Sequence, residues 1–183
     1  MNNTINTVAN EILNVLSNVN NDEALLLSQE LTQAKRVFVS GEGRSGLMGK
    51  AFAMRLMHGG FNVYVIGETI TPSIEEGDLL ITISGSGSTG SLMQFATKAN
   101  EVGATNFLVT TNRESKIAKI SDGVLVIPAA TKYRLPSEPE TIQPLGNQFD
   151  QSVHLLLDAI IIFTLNDNEN VNDAMVKRHA NLE

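Results

Sequence analysis

Four hydroxyl side chains, Ser84, Ser86, Ser88 and Thr89, are interleaved with Gly85, Gly87 and Gly90. Before them runs Leu79-Leu80-Ile81-Thr82-Ile83, an apolar, β-branched-rich stretch that reads as a short buried strand. After them Leu92, Phe95, Ala96 and Ala99 recur at helical spacing. A strand, a Gly/Ser loop and a helix start together form an anion cradle, because free N–H groups and the positive end of the helix dipole face the ligand. No Lys follows in the Gly-Lys-Ser/Thr order of a nucleotide P-loop, so the loop suits a phosphomonoester rather than a triphosphate. The competing reading is a plain strand-to-helix turn built from good N-cap residues.

Two more loops of the same kind occur. Gly41-Glu42-Gly43-Arg44-Ser45-Gly46 follows the strand-like run Arg36-Val37-Phe38-Val39-Ser40, and Gly67-Glu68-Thr69-Ile70-Thr71-Pro72 follows a second strand-like run at 61–66. Taken alone, Gly41-x-Gly43-x-x-Gly46 with Glu68 about 20 residues further on also fits a dinucleotide-binding fingerprint. Against that stand Arg44 and Ser45 inside the loop, the second Gly/Ser loop and the short chain.

The elements that must position these loops alternate. Ile5, Val8, Ile12, Leu13 and Leu16 form a helical stripe over residues 4–18, and a second helix is expected over 23–34 with Asp22 as its N-cap. Strands follow at 36–40, 61–66, 79–83, 106–110 and 123–127, with helices at 47–58 and from 90 to about 102, and a helical turn or two at 115–120. This alternation predicts an α/β fold: a parallel sheet with right-handed crossovers and helices on both faces. Ligands of such sheets bind off the carboxyl ends of the strands, where all three Gly-containing loops fall. Residues 129–146 lack periodicity and hold Pro136, Pro139 and Pro144, so a lid or interface loop is expected there. A nearly all-apolar helix spans 147–165, buried within the chain or between subunits, with Asp150, His154 and Asp158 as one polar stripe. A short helix closes the chain over 171–183. The division is a single domain over 1–183: N-terminal helices to 34, sheet core 36–128, loop 129–146 and C-terminal helices from 147.

Composition narrows the classes. A chain of 183 residues can bury roughly 70% of its unfolded surface without staples. With no Cys there is no disulfide framework, thiolate metal site or Cys nucleophile, and the three His are not spaced as a metal pair. No cofactor or metal is expected. A net charge of −7 argues against nucleic acid as the main partner. No apolar run reaches about 18 residues without a polar break, so no membrane span is expected. The start Met-Asn-Asn-Thr lacks a basic, then apolar leader pattern, so the expected location is the cytoplasm.

The two loops 41–46 and 84–89 together resemble those of sugar isomerase (SIS) domains. More narrowly, the chain resembles the 6-phospho-3-hexuloisomerases. The resemblance is carried by Gly43-Arg44-Ser45-Gly46, Ala53-Met54-Arg55-Leu56-Met57-His58, Gly67-Glu68-Thr69 with Thr71-Pro72, Gln143-Pro144-Leu145-Gly146 and the tail His179-Ala180-Asn181-Leu182-Glu183. It implies a single SIS domain with a flavodoxin-like sheet of about five strands, a homotetramer or dimer, and no metal. The implied activity is interconversion of 3-hexulose 6-phosphate and fructose 6-phosphate through an enediol, in the ribulose monophosphate pathway, with a functional link to 3-hexulose-6-phosphate synthase. The resemblance also implies roles. Ser45, Ser84, Ser86 and Thr89, with Gly43, Gly85 and Ser88 of the same loops, take the phosphate. Asp150 is the base, Arg44 stabilises the enediolate, and His179 moves protons between oxygens or opens the cyclic sugar. Glu68 and Thr69 hold hydroxyls, and Gln143 and Gly146 line the entrance. The chain departs from the family pattern at Ser88 and Asp150, where Glu is usual. Each role has a plain alternative: Asp150 as a helix N-terminal acid, Arg44 as a surface ion-pair residue, His179 as a frayed-end residue. His58 reads as structural and His154 as a core or interface contact. Two rival functions stand beside the isomerase: a non-catalytic sugar-phosphate-binding protein and a dinucleotide-binding protein. An isomerase of another sugar phosphate is a third possibility.

Overall fold

A computed structural model of the chain describes residues 1–166 and 170–182. Five strands, β1 (Val37–Gly41), β2 (Val63–Val65), β3 (Leu79–Ile83), β4 (Thr105–Thr110) and β5 (Gly123–Val126), form one parallel sheet in the order β2-β1-β3-β4-β5. β3 is central and buried along its whole length, so it is apolar at every position but Thr82, whose hydroxyl pairs with that of Ser40 at 3.0 Å. The strand order reverses between β1 and β3, and the loops after these two strands are the two Gly-rich loops.

The two faces are covered unequally. On one face lie α1 (Asn2–Ser17), α2 (Asn21–Gln33), α3 (Gly43–Gly59) and α5 (Asn147–Thr164), whose apolar sides meet Val37, Val39, Leu79, Ile81, Ile83, Phe107, Val109 and Leu125. On the other face α4 (Gly90–Glu101) and a 3-10 turn at Ala118–Ile120 cover Phe38, Leu80 and Leu108. Neighbouring strand residues thus feed opposite cores, as the pleat requires. α5 buries Phe149, Val153, Leu157, Ile160 and Ile161 but leaves Leu155, Ile162 and Phe163 exposed, so only one side of this apolar helix is used within the chain. Among the described residues no helix is long and apolar enough to cross a membrane.

Local chemistry sets the element ends. α2 begins two residues earlier than its stripe suggested, and its N-cap is Asn20, not Asp22: the Asn20 side chain accepts from the Asp22 and Glu23 amides. α3 begins at Gly43, four residues before the apolar pattern does, so Arg44, Ser45 and Gly46 are first-turn residues rather than loop. Its end is as expected: Gly60 is left-handed at φ 94° and donates to the Leu56 and Met57 carbonyls. The last helix, α6 (Val171–Arg178), stops at Arg178 and His179 is already extended; Glu183, which the sequence placed in this helix, lies outside the described residues. Residues 129–146 carry no helix or strand and form a strap. Glu11 of α1 fastens it, accepting from the Ile142 amide and the Gln143 side chain, each at 2.9 Å, and from the Thr141 hydroxyl.

At the turn from β1 into α3 the backbone approaches itself closely. A Cβ on Gly46 would stand 2.6 Å from the Gly41 carbonyl oxygen. The Gly46→Ala variant must therefore push the helix off the strand. Alanine gains about 1 kcal/mol over glycine in helix propensity, but overpacking costs about 1–3 kcal/mol, and a contact this short on rigid backbone puts the cost at the upper end, so a net loss of up to about 2 kcal/mol is expected. Thermal denaturation should show Tm lowered by several degrees; an unchanged or raised Tm would show that this approach is not tight.

Candidate active site

The N-terminus of α3 meets the N-terminus of α5 beside the β3–α4 loop, and an open cleft of about 340 Å³ lies between them. Asp150, in the first turn of α5, is buried on its floor. Arg44 Nε lies 3.2 Å from Asp150 Oδ2, and the Ser45 hydroxyl donates to Oδ1 at 3.3 Å. Burial pushes the Asp150 carboxyl above the ordinary carboxylate range, and Arg44 and Ser45 pull it back only in part. The result is a carboxylate held at a fixed place and made more basic than usual.

The β3–α4 loop forms the adjoining wall. Ser84, Gly85, Ser86 and Thr89 line the cleft. The loop is self-braced: the Gly87 amide donates to both the carbonyl and the hydroxyl oxygen of Ser84, and Gly85 O accepts from Thr110 and Thr111. Gly87 is left-handed at φ 58°, and a Cβ there would meet the Ser115 hydroxyl oxygen at 2.1 Å, so no larger residue fits. Thr89 is the N-cap residue of α4, but its side chain makes no capping bond. The first amides of α4 therefore have no side-chain cap, as an anion site needs.

Leu145, Gly146 and Phe149 complete the inner cleft with Glu42, Thr131, Lys132 and Tyr133. Leu145 is left-handed at φ 54°, an unusual conformation for a bulky residue, and its side chain stands exposed at the mouth. Beyond Ser86 and Thr89 a second, wider cleft of about 730 Å³ opens between the ends of β4 and β5 and the strap; Ser88 lines this outer cleft, not the inner one.

Several expected site residues stand elsewhere. Ser45 does line the cleft, with its hydroxyl donating to Asp150, but others lie away from it. Gly43 starts α3 in the left-handed region at φ 57° and does not line the cleft. Glu68 pairs with Lys50 at 2.7 Å on the surface, and Thr69 is exposed beside it; neither lines the cleft. Gln143 is buried, not at the entrance: its side chain joins Glu11 to Asn147. His179 is stacked on His58, ring centroids 5.3 Å apart, in the last turn of α3. Fourteen helical residues separate His58 from Arg44, so within one chain His179 is roughly 20 Å from the cleft. His58 is buried there, and burial first, then His179 and Arg55, hold its ring below the usual histidine range. His154 lies 4.0 Å from Asp158 on the outer side of α5, away from the cleft.

Of the other cleft-lining residues, Thr131, Lys132 and Tyr133 belong to no motif, while Glu42, Leu145 and Phe149 lie in or beside the quoted segments but carried no expected role. Thr131–Tyr133 follow β5, so the strand-end rule pointed at this segment although no motif did. The arrangement also disfavours a dinucleotide: the α3 N-terminus, where a pyrophosphate would lie, is faced by the Asp150 carboxylate. Among the described residues no group of three or more His, Asp or Glu side chains is placed to hold a metal ion.

Comparison with known proteins gives the family of the fold. The SIS domain family matches residues 30–141. The 3-hexulose-6-phosphate isomerase of Bacillus subtilis is 40% identical over 96% of this chain and 95% of its own. That of Mycobacterium gastri is 38% identical over 99% of this chain and 90% of its own. A Methanococcus jannaschii protein, whose crystal structure was taken to infer a 3-hexulose-6-phosphate isomerase function, superimposes with a TM-score of 0.85 at 32% identity, covering 98% of both chains. The chain belongs to the SIS domain family, and within it to the 3-hexulose-6-phosphate isomerases.

Proposed function

We propose that the protein interconverts 3-hexulose 6-phosphate and fructose 6-phosphate, with Asp150 as the base. The observation that carries this reading is one buried carboxylate, clamped by Arg44 and Ser45, facing a cleft whose next wall is an uncapped, hydroxyl-bearing helix start. The family membership supports the same substrate pair.

The phosphate sits against Ser84, Gly85, Ser86 and Thr89 and the free amides of α4, with Ser88 at the outer rim. Asp150 removes the proton from C2 of the 3-hexulose to give a 2,3-enediolate, the O2 hydroxyl proton passes to O3, and the proton held by Asp150 returns at C3, leaving the ketone at C2. As Asp150 takes the proton its charge is neutralised, and the negative charge passes to the substrate oxygen. Arg44, already beside Asp150, then faces the new anion without a large movement. Ser45 orients the carboxylate rather than binding phosphate. Gly146, immediately before α5, accepts from the Asp150 amide and fixes the helix start at the entrance. His179 is too far from its own cleft to act there, so its role belongs to the cleft of a neighbouring copy. A homotetramer, or at least a dimer, is part of this reading, and the exposed Leu155, Ile162 and Phe163 of α5 support it. So is a cytoplasmic setting beside a 3-hexulose-6-phosphate synthase.

Turnover is measured by supplying formaldehyde and ribulose 5-phosphate to the synthase and reading fructose 6-phosphate formation. Asp150→Asn should lower kcat by about 100-fold or more, and Asp150→Glu should retain much more of it. Wild-type turnover by Asp150→Asn would remove Asp150 as the base.

The raised Asp150 carboxyl gives two further expectations. Activity needs the ionised form, so the acid limb of kcat/KM should lie above the usual carboxylate range and be absent from residual Asp150→Asn activity. Stability runs the other way: the folded state holds this proton more tightly than the unfolded state, so its stabilising effect is full at low pH and is lost as pH rises through the raised pKa. At neutral pH Asp150→Asn should therefore melt no lower than the wild type. A clear fall in its Tm would mean that the ionised pair with Arg44 stabilises the fold.

A further inference from the structure

The strap opposite Asp150 carries a cation that the reaction above leaves unused. Four charged side chains line the inner cleft: Glu42, Arg44, Lys132 and Asp150. Arg44 is occupied by Asp150, and Glu42 accepts from the Ser91 hydroxyl at 2.9 Å. Lys132 has no ion-pair partner among the described residues; its ammonium rests 5.1 Å from the centroid of the Tyr133 ring. Both Lys132 and Tyr133 line the inner and the outer cleft, as do Ser86 and Thr89, so the two pairs face the same opening.

This exposure does not come from a loose loop. Glu138 accepts from the Thr131 amide at 2.9 Å and from its hydroxyl at 2.6 Å, and Thr131 in turn accepts from the Tyr133 amide. Arg134 is left-handed at φ 48° and its guanidinium donates to the Gln143 carbonyl. Glu11 pins the far end through Thr141, Ile142 and Gln143. The backbone around Lys132 is fixed on both sides while its side chain stays exposed.

A dianionic phosphate in this cleft meets hydroxyls and amides, but its charge is not balanced. The four cleft charges cancel, and the chain as a whole carries −7. We propose that Lys132 is the cationic contact for the substrate's phosphate group and sets the preference for phosphorylated over free sugar, with Tyr133 holding the ammonium until the anion arrives. A lysine suits this because its flexible stem delivers a compact point charge. The exchange is downhill, since a cation–π contact at an exposed site is weaker than a charge-assisted hydrogen bond to phosphate. The inference rests on the sugar-phosphate reading of the site but not on turnover.

The test is calorimetric binding of fructose 6-phosphate and of inorganic phosphate at fixed ionic strength to the wild type, Lys132→Ala and Lys132→Arg. Lys132→Ala should weaken both ligands about tenfold or more, and Lys132→Arg should recover most of that loss. In turnover the loss should fall on KM more than on kcat. An unaltered Tm for Lys132→Ala shows that the strap is intact. Equal affinities for wild type and Lys132→Ala, or a loss that arginine does not restore, would overturn the assignment while leaving the isomerase reading standing. If the wild type binds both ligands in a Lys132-dependent way but turns nothing over, the isomerase reading fails and the Lys132 assignment holds. If the wild type binds neither ligand, both are wrong.

Discussion

The structure depends on one unfavourable placement, the burial of a carboxylate at the point where two helices begin. A lone buried carboxylate would be costly, and here Arg44 and Ser45 reduce that cost without removing it. Asp150 also sits at the positive end of α5, where a negative charge is favoured. These contacts hold the group in one orientation. The residual penalty makes it a better base than a solvated aspartate. The same three residues therefore meet where α3 and α5 begin and supply the reactive group in a fixed orientation.

The rest of the fold delivers other groups to this point. The strand order reverses between β1 and β3, which leaves a crevice at their carboxyl ends where neighbouring loops diverge. Tight glycine packing at Gly41 and Gly46 lets α3 start close to the sheet, which puts Arg44 and Ser45 within reach of Asp150. Gly87 lets the β3–α4 loop fold over itself and turn Ser86 and Thr89 toward the cleft. The strap closes the opposite side, and its anchor at Glu11 comes from the first helix of the chain. Burial pushes the Glu11 carboxyl up, but bonds from Thr141, Gln143 and Ile142, with Arg134 nearby, outweigh this and hold it below the usual range. The strap is thus held by an ionised carboxylate over the whole neutral pH range.

What the sequence made legible was local. Short apolar runs bounded by loop residues marked all five strands, because a buried parallel strand is a contiguous apolar run. The hydroxyls of Ser84, Ser86 and Thr89 likewise marked a wall of the cleft. Contacts between distant residues were not legible. Ser45 and Asp150 are 105 positions apart, so Ser45 read as one more phosphate hydroxyl. The start of α3 was missed because Gly-Arg-Ser-Gly has the composition of a loop, although Gly43 in the left-handed region is what turns the chain into the helix. Gln143 read as an entrance residue because its neighbours fit a motif, yet its side chain is used inside the strap. Lys132 and Glu11 carried no pattern: one sits in an aperiodic segment, the other is the single charged residue of its helix. The resemblance placed His179 in the site, and within one chain the fold carries it to the far end of α3.

The central claim is that the Asp150 carboxylate moves a carbon-bound proton of a sugar phosphate held against the β3–α4 loop. Proton exchange at C3 of fructose 6-phosphate in D2O, followed by NMR, tests it without any coupling enzyme. The wild type should replace that hydrogen with deuterium, and Asp150→Asn, still binding the sugar phosphate, should leave it in place. Exchange at C3 by Asp150→Asn at the wild-type rate would contradict the account.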